Sequence, residues 1–289
     1  MCRGAGILSV GGMKERVEIR ALGGFRVLAA GVDVTCPTTH AERLLRHLVR
    51  VGGTESLPAV TAALWPGTPP RTAQRRLRNV LVRLRDRYGA VVRRAGDDLV
   101  LDAPVDAFRL ASAADAVASG GRRPGATELR ACAALWRGDL LAGDDASGLE
   151  AARERMRQHY LTLLDRLADL AAAEARVLDE AYWLDRAYRT APHDETRIVR
   201  IVARLAATGH IGRAREAFEL GCDTSTELGV RIPPALAAAA AALTATTPLT
   251  ATSALAPSAR LAAAVPLACG GAVRPGLVTA HGLVAAPVG

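Results

Sequence analysis

The stretch Pro69-Pro70-Arg71-Thr72-Ala73-Gln74-Arg75-Arg76-Leu77-Arg78-Asn79-Val80-Leu81-Val82-Arg83-Leu84-Arg85-Asp86-Arg87-Tyr88 decides how the chain is read. Proline opens a helix well, because the N–H it lacks has no partner in the first turn anyway. Ala73, Leu77, Val80, Leu81, Leu84 and Tyr88 then recur at intervals of three and four, which lines one side of a helix with apolar groups. Wound at about 100° per residue, the same helix carries Thr72, Arg75, Asn79, Val82 and Asp86 on the opposite side. Arg71, Arg76, Arg78 and Arg83 flank them. The pattern predicts a helix that docks on a core by one side and presents guanidinium groups on the other.

Upstream, Val17–Leu22 alternates apolar and polar residues, Gly23-Gly24 interrupts, and Phe25–Leu28 and Val32–Val34 follow. Short alternating runs punctuated by glycine predict a small antiparallel sheet. Thr39 to Val51 reads as a helix ended by Gly52-Gly53, and a second helix opens at Ser56-Leu57-Pro58 and stops after Trp65 at Pro66-Gly67. Downstream, Val91–Arg94, a turn at Ala95–Asp98 and Leu99–Leu101 read as a β-hairpin. Sheet, three helices and hairpin make a winged-helix order, with the arginine-rich helix third, where groove recognition belongs.

The charge is concentrated in the same place. The 289 residues carry a net +8, and lysine occurs once, at Lys14, so the basic side is arginine. Residues 66–95 hold nine arginines (71, 75, 76, 78, 83, 85, 87, 93 and 94) against the single acid Asp86. Residues 127–244 hold 15 arginines and 18 acids. Arginine is therefore abundant everywhere, but its surplus is confined to one helix and the hairpin after it. An α-helix fits the DNA major groove, arginine pairs bidentately with guanine, and asparagine with adenine. Asn79, the one asparagine in the chain, falls on this face. The candidate DNA-binding residues are Arg71, Thr72, Arg75, Arg76, Arg78, Asn79 and Arg83, with Arg93 and Arg94 from the hairpin. Arg75, Asn79 and Arg76 are the candidate base readers, and residues such as Arg83 and Arg94 would meet phosphates.

Composition divides the chain into a leader (1–13), a mixed strand and helix domain (14–103), an all-helical domain (104–244), and an Ala/Pro-rich tail (245–289). The leader and tail are expected to be disordered. The helical part predicts about seven helices, and the pair spanning 181–208 resembles one tetratricopeptide-like unit. In it Tyr182, Leu184, Ala187 and Tyr188 are expected to face Ile198, Val202 and Leu205. The expected fold class is mainly α with a small β part.

Several classes are disfavoured. Cys2, Cys36, Cys132, Cys222 and Cys269 are scattered, which argues against a disulfide framework or a zinc site and suits a reducing cytoplasm. Residues 233–259 are uncharged, but prolines and threonines interrupt them, so no membrane span is expected. No GxSxG, HExxH, dinucleotide-binding glycine fingerprint or P-loop is present, and neither enzyme activity nor a cofactor is expected. Asp144-Asp145 reads as a loop and helix cap, and Trp65, Trp136 and Trp183 as core residues.

The motifs resemble the actinobacterial antibiotic regulatory proteins of the SARP type. The resemblance to their OmpR-like winged helix rests on Leu64-Trp65-Pro66, Pro69-Pro70, Ala73, Arg76-Leu77 through Val82-Arg83-Leu84-Arg85, and Leu99-Val100-Leu101-Asp102. Resemblance to their bacterial transcriptional activation domain rests on Leu135-Trp136-Arg137-Gly138, Glu154-Arg155-Met156, Ala187-Tyr188 with Pro192, Gly209 with Ala214, and Glu227-Leu228-Gly229-Val230 before Pro233-Pro234 and Leu236. It implies a cytoplasmic, nucleoid-associated transcriptional activator. Such a protein binds direct repeats of double-stranded DNA near promoters as side-by-side protomers and recruits RNA polymerase, often at secondary-metabolite clusters. The chain departs from the family at Leu99, where an aromatic residue is common, and at the acidic turn Asp97-Asp98. The alternative is a helical-repeat adaptor whose winged helix no longer binds DNA specifically.

Overall fold

The computed structural model describes residues 17–119, 124–146 and 148–245. The expected leader and nearly all of the expected tail lie outside the described residues.

Strands β1 (Val17–Arg20), β2 (Arg26–Ala29) and β3 (Val32–Asp33) form an antiparallel sheet in that order, with Ile19 opposite Val27. Val17 and Ile19 of β1 are buried, the inward half of the alternation read in the sequence. Helix α1 (Thr39–Arg50) starts where the Thr38 hydroxyl accepts a hydrogen bond from the Ala41 N–H at 3.1 Å, a side-chain cap on an otherwise unpaired donor. It buries Leu44, Leu45 and Leu48. Helix α2 (Leu57–Leu64) is capped by Ser56 and carries Pro58 in its first turn. Helix α3 (Pro70–Tyr88) follows, and β5 (Val92–Ala95) and β6 (Asp98–Leu101) form the hairpin around Gly96-Asp97.

One strand was not anticipated. Thr54–Ser56 forms β4, which pairs with β6, so the second sheet has the order β4-β6-β5. Thr54-Glu55-Ser56 has no apolar member to reveal alternation, and its serine reads as a helix cap. It serves as both. The strand ties the start of α2 to the hairpin, with the Leu57 N–H donating to the Asp97 carbonyl at 2.8 Å.

The second region is all helical: α4 (Asp106–Ala118), α5 (Ala126–Ala133), α6 (Leu149–Ala173), α7 (Val177–Thr190), α8 (Glu195–Ala207), α9 (Ile211–Glu227) and α10 (Pro234–Ala245). Helices α6 to α9 pack each on the next, as expected of stacked helix pairs. Leu184, Ala187 and Tyr188 are buried, as are Ile198, Val202 and Leu205. Tyr182 corrects the expectation, being 54% exposed, while Trp183 is buried as expected. The two are neighbours on a helix, so about 100° of rotation separates them, and the apolar stripe through Leu184 and Ala187 is centred on the tryptophan side. Trp65 is buried, whereas Trp136 is half-buried and stacks on Tyr160 with ring centroids 4.5 Å apart.

β1 is also held to the helical region. The Ile19 N–H donates to the Pro104 carbonyl at 2.9 Å, the Leu141 N–H to the Ala21 carbonyl at 2.7 Å, and the Gly23 N–H to the Asp139 carbonyl at 3.0 Å. The buried Asp106, at the start of α4, accepts from the Ala21 N–H at 2.8 Å and from its neighbour Ala107, and it pairs with Arg137. Gly23 lies so close to Arg137 that a Cβ there would sit 2.7 Å from the arginine's carbonyl oxygen. Together these contacts seat the first sheet on the helices that follow.

Candidate nucleic-acid interface

Helix α3 is placed by its apolar side. Ala73, Leu77, Val80, Leu84 and Tyr88 are buried and Leu81 is half-buried. The Tyr88 hydroxyl donates to the Thr35 carbonyl at 2.7 Å, which fixes the C-terminal end of the helix against the segment entering α1. Gly89, at a φ of +79°, then lets the chain leave toward the hairpin. With that side sunk, Arg71, Arg75, Arg76, Arg78, Asn79 and Arg83 are all exposed. Thr72 is half-buried at the edge of the face.

The face is flanked by two grooves. One, of about 440 Å³, is lined by Thr38, His40, Trp65, Arg76, Asn79 and Arg83. In it His40 stacks on Trp65 at 5.5 Å with the rings 20° from parallel. The other, of about 450 Å³, runs between α3 and the hairpin and includes Gln74, Arg78, Arg94 and Asp97. Arg76 reaches Thr68 Oγ1 at 3.5 Å.

Arginines differ in their partners according to where they lie. In the helical region Arg157 meets Asp139, Glu150 and Glu154, Arg197 meets Asp165 and Asp194, and Arg200 meets Asp169 and Glu180. Arg204, Arg189 and Arg176 likewise have carboxylate partners. Among the described residues, no ion pair involves Arg71, Arg75, Arg76, Arg78, Arg83 or Arg85 of α3. The positive charge on α3 is therefore uncompensated by local ion pairs, whereas residues 127–244 carry more acids than arginines and pair about half of the helical region's arginines.

The hairpin arginines fall between these cases. Arg93 and Arg94 are exposed on β5, but Arg93 lies 3.6 Å from Asp102, and Arg94 lies 3.3 Å from Asp97 and donates to the Gly96 carbonyl at 2.7 Å. Sequence reading identified Asp97 as an acid in the turn. Its pairing with Arg94 follows from the two-residue loop, which brings the fold of the hairpin back on itself.

Other candidate chemistry finds no site. Burial pushes the Cys36 thiol up to about 11, away from a reactive thiolate at neutral pH. Asp144 accepts from the Ala146 N–H and meets Arg46 of α1 at 3.4 Å, a loop and packing role as expected, while α6 is entered from Gly148 rather than from these acids. Among the described residues there is no group of His, Cys, Asp and Glu able to hold a metal ion. Among them also, no helix is long and apolar enough to cross a membrane.

Sequence reasoning missed the roles of Asp106 and Arg137. Arg137 was visible only as part of the Leu135–Gly138 motif. Asp106 gave no signal beyond an acid in the first turn of a helix, because its partners lie 85 residues earlier, at Ala21, and 31 residues later, at Arg137.

Residues 101–244 match the family model of the bacterial transcriptional activator domain. No curated protein matches the chain. Among solved structures, the fold is similar to that of EmbR from Mycobacterium tuberculosis, determined in complex with a low-affinity phosphopeptide, at 21% identity and a TM-score of 0.57. The match covers 81% of this chain and 66% of the EmbR chain, so the chain spans slightly less than two thirds of that protein's length. Residues 101–244 are thus similar to a bacterial transcriptional activator domain, preceded by a winged-helix-like region, in a fold similar to that of EmbR.

Proposed function

We propose that the protein is a sequence-specific, DNA-binding transcriptional activator of the SARP type. Residues 14–103 are its OmpR-like winged helix and 104–244 its activation domain. In this reading α3 enters the major groove. Arg75, Asn79 and Arg76 face base edges, while Arg71, Thr72, Arg78 and Arg83 lie toward the phosphates. Two protomers sit side by side on a direct repeat near a promoter, and the helical domain recruits RNA polymerase in the cytoplasm, at a secondary-metabolite cluster.

The observation that carries the reading is the run of exposed, unpaired arginines on the outer side of α3. Six arginines of one helix, Arg71, Arg75, Arg76, Arg78, Arg83 and Arg85, are exposed with no ion pair among the described residues, whereas in residues 127–244 the 15 arginines are outnumbered by 18 acids. The matching family model supports a role in transcription.

Selection of bound duplexes from a random library by the full chain, followed by electrophoretic shifts, tests the proposal. A recovered consensus is expected. Arg75→Ala should weaken binding to that consensus by about 1–3 kcal/mol and relax its preference at one position. Equal loss on the consensus and on random DNA would remove Arg75 from base reading, and the absence of any consensus at moderate salt would refute specific recognition.

A further inference from the structure

Past its first turn, α3 shows solvent one apolar side chain of any size: Val82, at 52% exposure. The core does not need it, because Val80, Leu81 and Leu84 already fill the buried stripe around it. Helix stability does not favour it either, since a β-branched side chain loses rotamer freedom there. Its neighbours on the face are Arg75, Arg78, Asn79 and Asp86, so it forms an apolar island in a polar surface.

An exposed valine in that setting suits a partner that offers a small apolar group among polar ones. In the major groove only one base does so. Thymine carries a C5-methyl, while adenine, guanine and cytosine present donors and acceptors alone. Asn79 precedes Val82 by three residues, about 4.5 Å along the helix axis, comparable to the roughly 3.4 Å rise of one base pair. The asparagine amide matches the N6 and N7 edge of adenine. The two side chains together fit neighbouring A·T pairs.

We infer that Val82 is a specificity-determining residue of this interface, packing against the C5-methyl of a thymine beside the pair met by Asn79. The inference rests on the proposed docking of α3 in the major groove. Val82 leaves no polar atom unpaired when water is displaced. Cytosine at the same place has no methyl and sets its amino group against an apolar surface, which costs that group a hydrogen-bond partner.

Uracil replacement isolates the contact. Uracil keeps the pairing and the O4 acceptor of thymine and removes the methyl alone. In the duplex selected by the full chain, each thymine is replaced in turn by uracil. At one thymine per bound protomer the affinity should fall about four-fold, the effect of losing one buried methyl-sized group. The fall should vanish in Val82→Ala and persist in Val82→Thr, which retains a methyl. Val82→Ala is not expected to disturb folding, because the side chain is exposed and alanine favours a helix. A selected duplex that is indifferent to uracil at every thymine, or one equally sensitive in Val82→Ala, would overturn the inference. If that duplex still depends on Arg75 or Asn79, only the role of Val82 falls. Failure to select any sequence would overturn the docking and the inference together.

Discussion

Removing the Asp106 carboxylate by Asp106→Ala should loosen the first sheet from the helical region. Asp106 is 1% exposed and accepts from the Ala21 N–H at 2.8 Å, the Leu22 N–H at 3.4 Å and the Ala107 N–H at 2.8 Å, in addition to pairing with Arg137. Ala21 and Leu22 are themselves buried, so water cannot replace the lost acceptor without entering the core. An abandoned buried donor costs about 1–3 kcal/mol. The Leu22 bond is long and counts for little. Ala107 lies in the first turn of α4, where an N–H is unpaired by default. The Arg137 side chain is 39% exposed and can turn to water, so the Ala21 donor dominates and the loss is about 1–3 kcal/mol, the cost of abandoning one buried donor. Burial pushes the Asp106 carboxyl above the ordinary carboxylate range even against these donors. A neutral acceptor is accordingly tolerated better than none, and Asp106→Asn should cost well under half as much as Asp106→Ala. Urea unfolding followed by the fluorescence of Trp65, Trp136 and Trp183 measures both. A loss below about 0.5 kcal/mol for Asp106→Ala, the level of an ordinary surface change, would refute the account of this junction.

Two further outcomes follow from local geometry. A Cβ on Gly221 would stand 2.6 Å from Leu236 Cδ2 and 3.2 Å from Ile198 Cγ1, so Gly221→Ala should lose about 1–3 kcal/mol to overpacking, offset by about 1 kcal/mol of helix propensity. The melting temperature should fall, and Leu236→Ala should relieve the clash in the double variant. The Arg157 guanidinium beside Asp139 holds its carboxyl below the usual range. A carboxylate with a depressed pKa adds stability above its unfolded value of about 3.9 and loses it as pH falls through the lower, folded value. Melting curves below about pH 4 should therefore show a steeper decline in the wild type than in Asp139→Asn.

The elements that sequence reasoning found are those whose signals are local. Helix α3 declares itself by Ala73, Leu77, Val80, Leu84 and Tyr88 at helical spacing, and α2 by its Ser56 cap and Pro58. The arginine face was legible for the same reason, because one side of a helix is fixed by periodicity alone. What escaped depends on residues distant in the chain. β4 is a strand only because Thr54–Ser56 meets Asp98–Val100, and the three residues have no pattern of their own. The pairing of Arg94 with Asp97 depends on loop geometry, and the Asp106–Arg137 pair on a contact between two regions. Trp183 was read correctly as core, and Tyr182 was placed with it because adjacent aromatics on a helix differ only in which side of the stripe they fall.

The salt dependence of binding to random duplex tests most directly whether uncompensated arginines on α3 make the DNA interface. Each phosphate neutralised contributes about 0.9 to the slope of log K against log salt. Arg83 is exposed on α3 with no ion pair among the described residues, so Arg83→Ala should reduce the slope by about one unit. Arg94, already beside Asp97, should reduce it by less. Arg189, exposed but paired with Asp185 in the helical region, should leave it unchanged. That ranking is the predicted result. Equal slopes for the wild type and Arg83→Ala, or a larger change for Arg189→Ala, would contradict the claim that α3 meets the DNA.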